Sequence, residues 1–300
     1  MQSNWLKQAE ELLETLKPAT LKVFHQKSPL SHQSRLAVLL MADFLAKKQG
    51  QQTVGISGGQ GAGKSTLSRF IAELINAETG HTVQILSLDD FYLTKAQRQH
   101  LAATLHPLFA TRGVPGTHDI DLLNNVLDAI KAGDTATIPR FDKASDDRLP
   151  ENQACQSIAK PDLVLLEGWC LGARPQPASE LLEPFNQLER DQDTDGKWRY
   201  AINRYLAEGY ANLFNRLDTM VYLQVPNIEA VRRWRNQQEQ PLRDNPQPGR
   251  AVLSPDDINH FVQYFERLTH WMQQDLPARA DLVLALSVNH DVEGFQVNAT

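Results

Sequence analysis

The segment Gly58-Gly59-Gln60-Gly61-Ala62-Gly63-Lys64-Ser65-Thr66 constrains this chain more than any other feature, because its first eight residues satisfy G-x-x-x-x-G-K-[ST]. It stands between a short β-branched run, 53–57, and a helical pattern from Lys64 to about Ala77. That strand–loop–helix context predicts a phosphate-binding loop. Glycines let the backbone wrap closely around phosphate oxygens, while the loop amides and the dipole of the following helix attract the anion. Lys64 adds charge near the β- and γ-phosphates and Ser65 offers a hydroxyl to Mg²⁺. All nine residues are therefore candidate ATP-binding positions.

Apolar runs of strand length follow at 82–88, 162–167, 219–225 and 281–287, separated by helical patterns. Continuous rather than alternating apolarity marks strands covered on both faces, so the chain predicts an α/β fold in three layers, a parallel sheet flanked by helices. Upstream, Trp5, Leu6, Ala9, Leu12, Leu13 and Leu16 share one face of a helix that Pro18 is expected to terminate. Leu36, Leu39, Leu40 and Phe44 mark a second helix before Gly50. Residues 1–50 thus read as an N-terminal helical cover packed on a main domain, 51–300. Residues 91–161 contain one clear helix, Ile120 to Ala132, and so long an insertion in an α/β domain is expected to bind the acceptor. The polar, proline-containing stretch 237–255 reads as a mobile or exposed loop, within a lid region spanning 228–255.

Composition narrows the partners. A net charge of −6 supplies no positive field for nucleic acid or anionic lipid, so a small-molecule substrate is expected. Cys155 and Cys170 lie far apart, outside any metal spacing, and read as buried free thiols. The start lacks a basic and then apolar leader, and the most apolar stretch, 36–46, is too short to span a bilayer and contains Asp43, so no membrane association and a cytoplasmic location are expected.

Beyond the P-loop, four groups of residues carry candidate chemistry. The run Leu163-Val164-Leu165-Leu166-Glu167-Gly168 brings an acid to the carboxyl edge of the sheet, where Glu167 can serve the metal with Ser65. The second strand leads into Asp89-Asp90-Phe91-Tyr92; alternation along a strand sends the two carboxylates to opposite sides, and Asp89 is chosen as the catalytic one. Arg232, Arg233 and Arg235 sit on a helix after Val225-Pro226-Asn227, where arginines can close over phosphates. Thr117 and Asp119 are expected to cap the helix at Ile120, holding His118 beside a helix N-terminus.

The P-loop, Asp89-Asp90-Phe91-Tyr92, Pro139-Arg140-Phe141-Asp142-Lys143 and Leu166-Glu167-Gly168 occur in the order seen in the phosphoribulokinase, uridine kinase and pantothenate kinase superfamily. More narrowly, the chain from about residue 30 onward resembles the plant-type D-glycerate 3-kinases and their fungal relatives. That resemblance rests on Arg112-Gly113-Val114-Pro115-Gly116-Thr117-His118-Asp119, Glu167-Gly168-Trp169-Cys170-Leu171-Gly172, Arg232-Arg233-Trp234-Arg235 and Leu253-Ser254-Pro255-Asp256-Asp257-Ile258, leading into Phe261-Val262. It implies a P-loop kinase fold, ATP with Mg²⁺, and glycerate as acceptor. It further implies Asp89 near the acceptor hydroxyl, Glu167 near the metal, and Arg232 and Arg235 in a lid. Uridine kinases carry a tyrosine-aspartate-phenylalanine segment followed by a histidine; here Phe141-Asp142-Lys143 is followed by Asp146 and Asp147, which disfavours a nucleoside. Arg112, Arg140, Lys143 and Arg148 suit a small carboxylate. Lys64, Asp89, Arg232 and Arg235 form the expected catalytic set, and Asp89, Tyr92, Arg112, His118 and Lys143 the expected acceptor set. The alternatives are a pantothenate, pentose or nucleoside kinase of the same superfamily, or a nucleotide-dependent switch whose insertion binds a partner protein.

Overall fold

Strands this apolar need cover on both faces, and the chain supplies it from helices on either side of them. The structure, a computed structural model describing residues 4–245 and 252–298, opens with α1 (Asn4–Glu14), α2 (Pro18–His25) and α3 (His32–Ala46). Then come β1 (Gln52–Gly58), α4 (Lys64–Thr79), β2 (Val83–Ser87) and a 3₁₀ turn at Leu88–Phe91. The insertion holds α5 (Lys95–Thr104), α6 (Ile120–Ala132) and four two-residue strands: β3 (Thr137–Ile138), β4 (Phe141–Asp142), β5 (Asp147–Arg148) and β6 (Cys155–Gln156). After β7 (Leu163–Gly168) follow α7 (Gln187–Gln192), α8 (Lys197–Tyr205), a π turn at Leu206–Tyr210 and α9 (Ala211–Phe214). The chain continues through β8 (Thr219–Gln224), α10 (Ile228–Asp244), α11 (Pro255–Asp275), β9 (Leu282–Leu286) and β10 (Val292–Val297).

The main sheet runs β10-β9-β8-β1-β7-β2, parallel except for β10. Strand alternation divides each run between two cores: Leu163 and Leu165 of β7 face the α1–α4 side, Val164 and Leu166 the side of α6, α8 and α11. Truncating such a fully buried leucine to alanine costs about 2–5 kcal/mol. Trp5, Phe24, Leu36 and Leu39 from the first three helices join the core beneath the P-loop. No described helix is long and apolar enough to cross a membrane.

The departures from expectation are local. Pro18 opens α2 at its first position instead of ending α1, which stops at Glu14; proline's missing N–H is harmless there. A second insertion helix, α5, escapes a search for apolar periodicity because its buried residue is Arg98. β10 also lies outside the predicted strands, its pattern broken by Gly294 at a register shift. Cys155 is exposed, whereas Cys170 is buried and its thiol is pushed up to about 12 by that burial. Of the stretch 237–255, residues through Asp244 are helical, with Pro241 inside α10, while 246–251 lie outside the described residues.

Candidate active site

Parallel register sets Ser57 level with Gly168 and Ser87 level with Glu167. Three adjacent strands therefore bring the glycine-rich loop, Glu167 and the turn after β2 to one carboxyl edge, where ligands of such sheets bind. A cleft of about 740 Å³ opens there.

Its floor is the P-loop. Gly61 and Gly63 take φ of 77° and 84°, left-handed values that glycine adopts at little cost. A Cβ on Gly61 would also lie 2.7 Å from Cβ of Trp234 on α10. Gly63 is the N-cap of α4, so the helix N-terminus faces the cleft. Gln60, Gly61, Gly63, Lys64, Ser65 and Thr66 line it. Gly58 and Gly59 sit behind them against Leu223, Val225 and Val231, and Ala62 is buried. Lys64 donates to the carbonyls of Gly58 and Gly59 at 3.0 and 3.2 Å. Burial lowers its pKa, opposed by Glu167 and Asp89. Ser65 Oγ donates to Oε1 of the buried Glu167 at 2.7 Å.

Asp89 and Asp90 lie in the Leu88–Phe91 turn, not on the strand, so alternation does not govern them and both line the cleft. What separates them is hydrogen bonding. Asp89 accepts from Tyr92 Oη at 2.9 Å on Oδ1 and from Lys143 Nζ at 2.7 Å on Oδ2. Burial pushes its carboxyl up, but Lys143, Lys64 and the Tyr92 hydroxyl together hold it well below the ordinary carboxylate range. Asp90 accepts from the Phe141 amide at 3.1 Å and stands 3.8 Å from Arg140; burial pushes its pKa up.

The opposite wall is the β4–β5 hairpin with Arg112. Arg98, 1% exposed, fixes it by donating to the carbonyls of Leu93, Ala110 and Asp146 and pairing with the Asp146 carboxylate at 3.0 Å. Arg112 pairs with the same carboxylate and lies 5.4 Å from the Phe141 ring centre. Arg112, Arg140 and Lys143 line the cleft, as do Tyr92, Phe141, Trp169, Phe261 and Phe265. Arg148 faces away, donating to the Tyr92 carbonyl at 2.9 Å and pairing with Asp119 at 3.0 Å.

His118 lies apart from the cleft lining, contrary to its expected place against the acceptor. It is buried behind Tyr92, rings stacked at 4.6 Å, with Nδ1 2.6 Å from Tyr210 Oη in the π turn. Burial pushes its pKa down to about 4, so the ring is neutral. Asp119 caps α6 by accepting from Leu122, but Thr117 serves the preceding turn, accepting from the Gly113 amide and donating to the Val114 carbonyl. On α10, Arg235 lines the cleft and pairs with Glu239 at 2.6 Å. Arg232 does not line it and is instead bound to Glu266 of α11, because the two side chains meet across the packed α10–α11 pair. Sequence reasoning does not single out Arg98, Arg69 or Phe265; Phe141, Trp169 and Phe261 lie inside motifs that carry the resemblance, and Tyr92 belongs to the expected acceptor set.

Residues 53–181 match the phosphoribulokinase/uridine kinase family. Over 221 residues the chain is 36% identical to the Schizosaccharomyces pombe kinase mug58, covering 71% of this chain and 77% of that one. It is 30% identical over 223 residues to the chloroplastic D-glycerate 3-kinase of Arabidopsis thaliana, covering 71% of this chain but only 45% of the plant protein. The solved D-glycerate 3-kinase of Cryptococcus neoformans superposes with a TM-score of 0.70 over 88% of this chain and 96% of that one; at 24% identity this establishes the shared fold. The chain belongs to the phosphoribulokinase/uridine kinase family of P-loop small-molecule kinases.

Proposed function

We propose that this protein transfers the γ-phosphoryl group of ATP to a hydroxyl of a small carboxylate, with glycerate the acceptor that best fits the cleft. The observation that carries the reading is the facing of two walls across one cleft, a P-loop on one side and Asp89 with Arg112, Arg140 and Lys143 on the other. Six cationic side chains line the cleft against three carboxylates, which favours an anionic acceptor beside the nucleotide. Relatives named as D-glycerate 3-kinases support the same choice.

Phosphoryl transfer asks mainly for positioning and charge stabilisation. In this reading the P-loop amides and Lys64 hold the phosphates, and Arg235 stabilises the charge that builds on the transferred group. Ser65 and Glu167 fit Mg²⁺, since a hydroxyl and a buried carboxylate 2.7 Å apart offer two hard oxygen donors beside the phosphate loop. When bound, the ion neutralises the β- and γ-phosphate oxygens. Asp89 orients the acceptor hydroxyl and takes its proton. A carboxylate of such low basicity serves because little proton transfer is needed before the new P–O bond forms. Arg112 and Lys143 bind the acceptor carboxylate. Tyr92 orients Asp89 and His118 backs Tyr92, which replaces the direct substrate role expected for His118.

A coupled assay of ADP release over glycerate, pantothenate, uridine and pentoses tests the reading. Glycerate is expected to give the highest kcat/KM. A higher value for pantothenate, a pentose or uridine would move the protein to another acceptor, and ADP release independent of any acceptor would favour a nucleotide switch.

A further inference from the structure

Asp89 enters the reaction with both carboxylate oxygens engaged, and its two partners differ in how easily they leave. The Tyr92 ring is stacked on His118 and meets Phe141 edge-on at 5.1 Å, so its bond to Oδ1 is held from two sides. The Lys143 side chain is 61% exposed on a flexible stem, although the hairpin beneath it is anchored through Arg98 and Asp146. Oδ2 is therefore the oxygen that can be freed, and only by moving the Lys143 ammonium.

We infer that Lys143 is a specificity-determining latch: it covers Oδ2 of Asp89 until an acceptor carboxylate, bound between Lys143, Arg112 and Arg140, draws the ammonium away. This rests on the proposed carboxylate acceptor and extends it. The acceptor hydroxyl then hydrogen-bonds to Oδ2. Its oxygen bonds to the γ-phosphorus as the bond to the β–γ bridging oxygen breaks, ADP leaves, and the hydroxyl proton passes to Asp89. A neutral polyol, or water, brings no anion to draw the ammonium off and finds Oδ2 covered. Discrimination between acids and neutral alcohols thus appears in kcat as well as in KM, and wasteful ATP hydrolysis is held down by the same contact.

Glycerol, which replaces the glycerate carboxylate by a hydroxymethyl group, separates the latch from plain binding. In Lys143→Met, turnover of glycerol and acceptor-free ATP hydrolysis are each expected to rise at least about tenfold over wild type, a fraction of the 10²- to 10⁴-fold available from a positioned base. Turnover of glycerate falls, and Lys143→Arg keeps the wild-type preference. If Lys143→Met only raises KM for glycerate while glycerol turnover and ATP hydrolysis stay at or below wild type, the latch is overturned and Lys143 is a carboxylate ligand alone. Absence of glycerate phosphorylation by the wild type overturns the acceptor assignment instead. Acceptor-free hydrolysis still decides the latch in that case, a rise in Lys143→Met supporting it and no rise overturning it. Circular dichroism of the variant confirms the fold, which a side chain this exposed does not hold together.

Discussion

The two walls of the cleft are built by different means. The nucleotide wall is nine consecutive residues whose shape comes from backbone, with Gly61 and Gly63 in left-handed conformations between a central strand and the helix it feeds. The acceptor wall is side chains from separate segments, the turn after β2, the Arg112 loop and the β4–β5 hairpin, tied together by the buried guanidinium of Arg98 and by Arg148. A backbone wall tolerates change in most neighbours but not in its own glycines or lysine. A cross-linked wall depends on residues that never touch the substrate.

That contrast can be broken from either side. On the nucleotide wall, Lys64→Ala is expected to lower kcat/KM by more than about 10³-fold while the Tm stays close to wild type, because among the described residues its ammonium bonds to the loop carbonyls of Gly58 and Gly59. Activity near wild type would remove the P-loop from the mechanism. Between the walls, Asp89→Asn is expected to lower kcat by about 10²- to 10⁴-fold with little change in the ATP requirement. Asp90→Asn is expected to cost less than about tenfold, since Asp90 accepts from the Phe141 amide and an amide oxygen can do the same. Equal losses in the two variants would reassign Asp89.

On the acceptor wall, Arg98→Met is expected to destabilise the fold by about 1–3 kcal/mol for each buried carbonyl that loses its donor, those of Leu93 and Ala110 first, while the Asp146 carboxylate keeps Arg112. It is also expected to raise KM for glycerate more than for ATP, as read from urea unfolding beside steady-state kinetics. A raised KM for ATP alone would show that the hairpin serves the nucleotide wall. The smallest effect concerns pH. His118 falls from the ordinary 6.5 to about 4 on folding, so below pH 6.5 the unfolded chain binds the extra proton. The stability this provides is complete above pH 6.5 and lost as pH falls toward 4, about 2–3 kcal/mol of it by pH 4.5. Unfolding midpoints at pH 7 and pH 4.5 are expected to differ less in His118→Gln than in wild type, and equal slopes would contradict the buried neutral ring.

Legibility in the sequence follows the same division. The apolar runs and the glycine-rich loop are readable because burial on both faces and positive φ each demand particular residue types. The acceptor wall is not, because its framework is charged: Arg98 is the buried residue of a polar helix, and nothing in its sequence separates it from a solvated arginine. Arg112, Lys143 and His118 read from the sequence as members of one acceptor set, and nothing in it tells the two that face the cleft from the one that backs Tyr92. Strand alternation does not separate Asp89 from Asp90, because a 3₁₀ turn replaces the strand from Leu88 onward and the sequence carries no mark of where the strand ends.

The central claim, that the two walls act on one transfer, is tested most directly by a single turnover of the purified protein with Mg²⁺, limiting ATP and excess glycerate, followed by ³¹P NMR. One phosphoglycerate per ADP, at a rate lowered by Asp89→Asn, is the predicted result. ADP with inorganic phosphate and no phosphoglycerate, or a rate unchanged by Asp89→Asn, would contradict it.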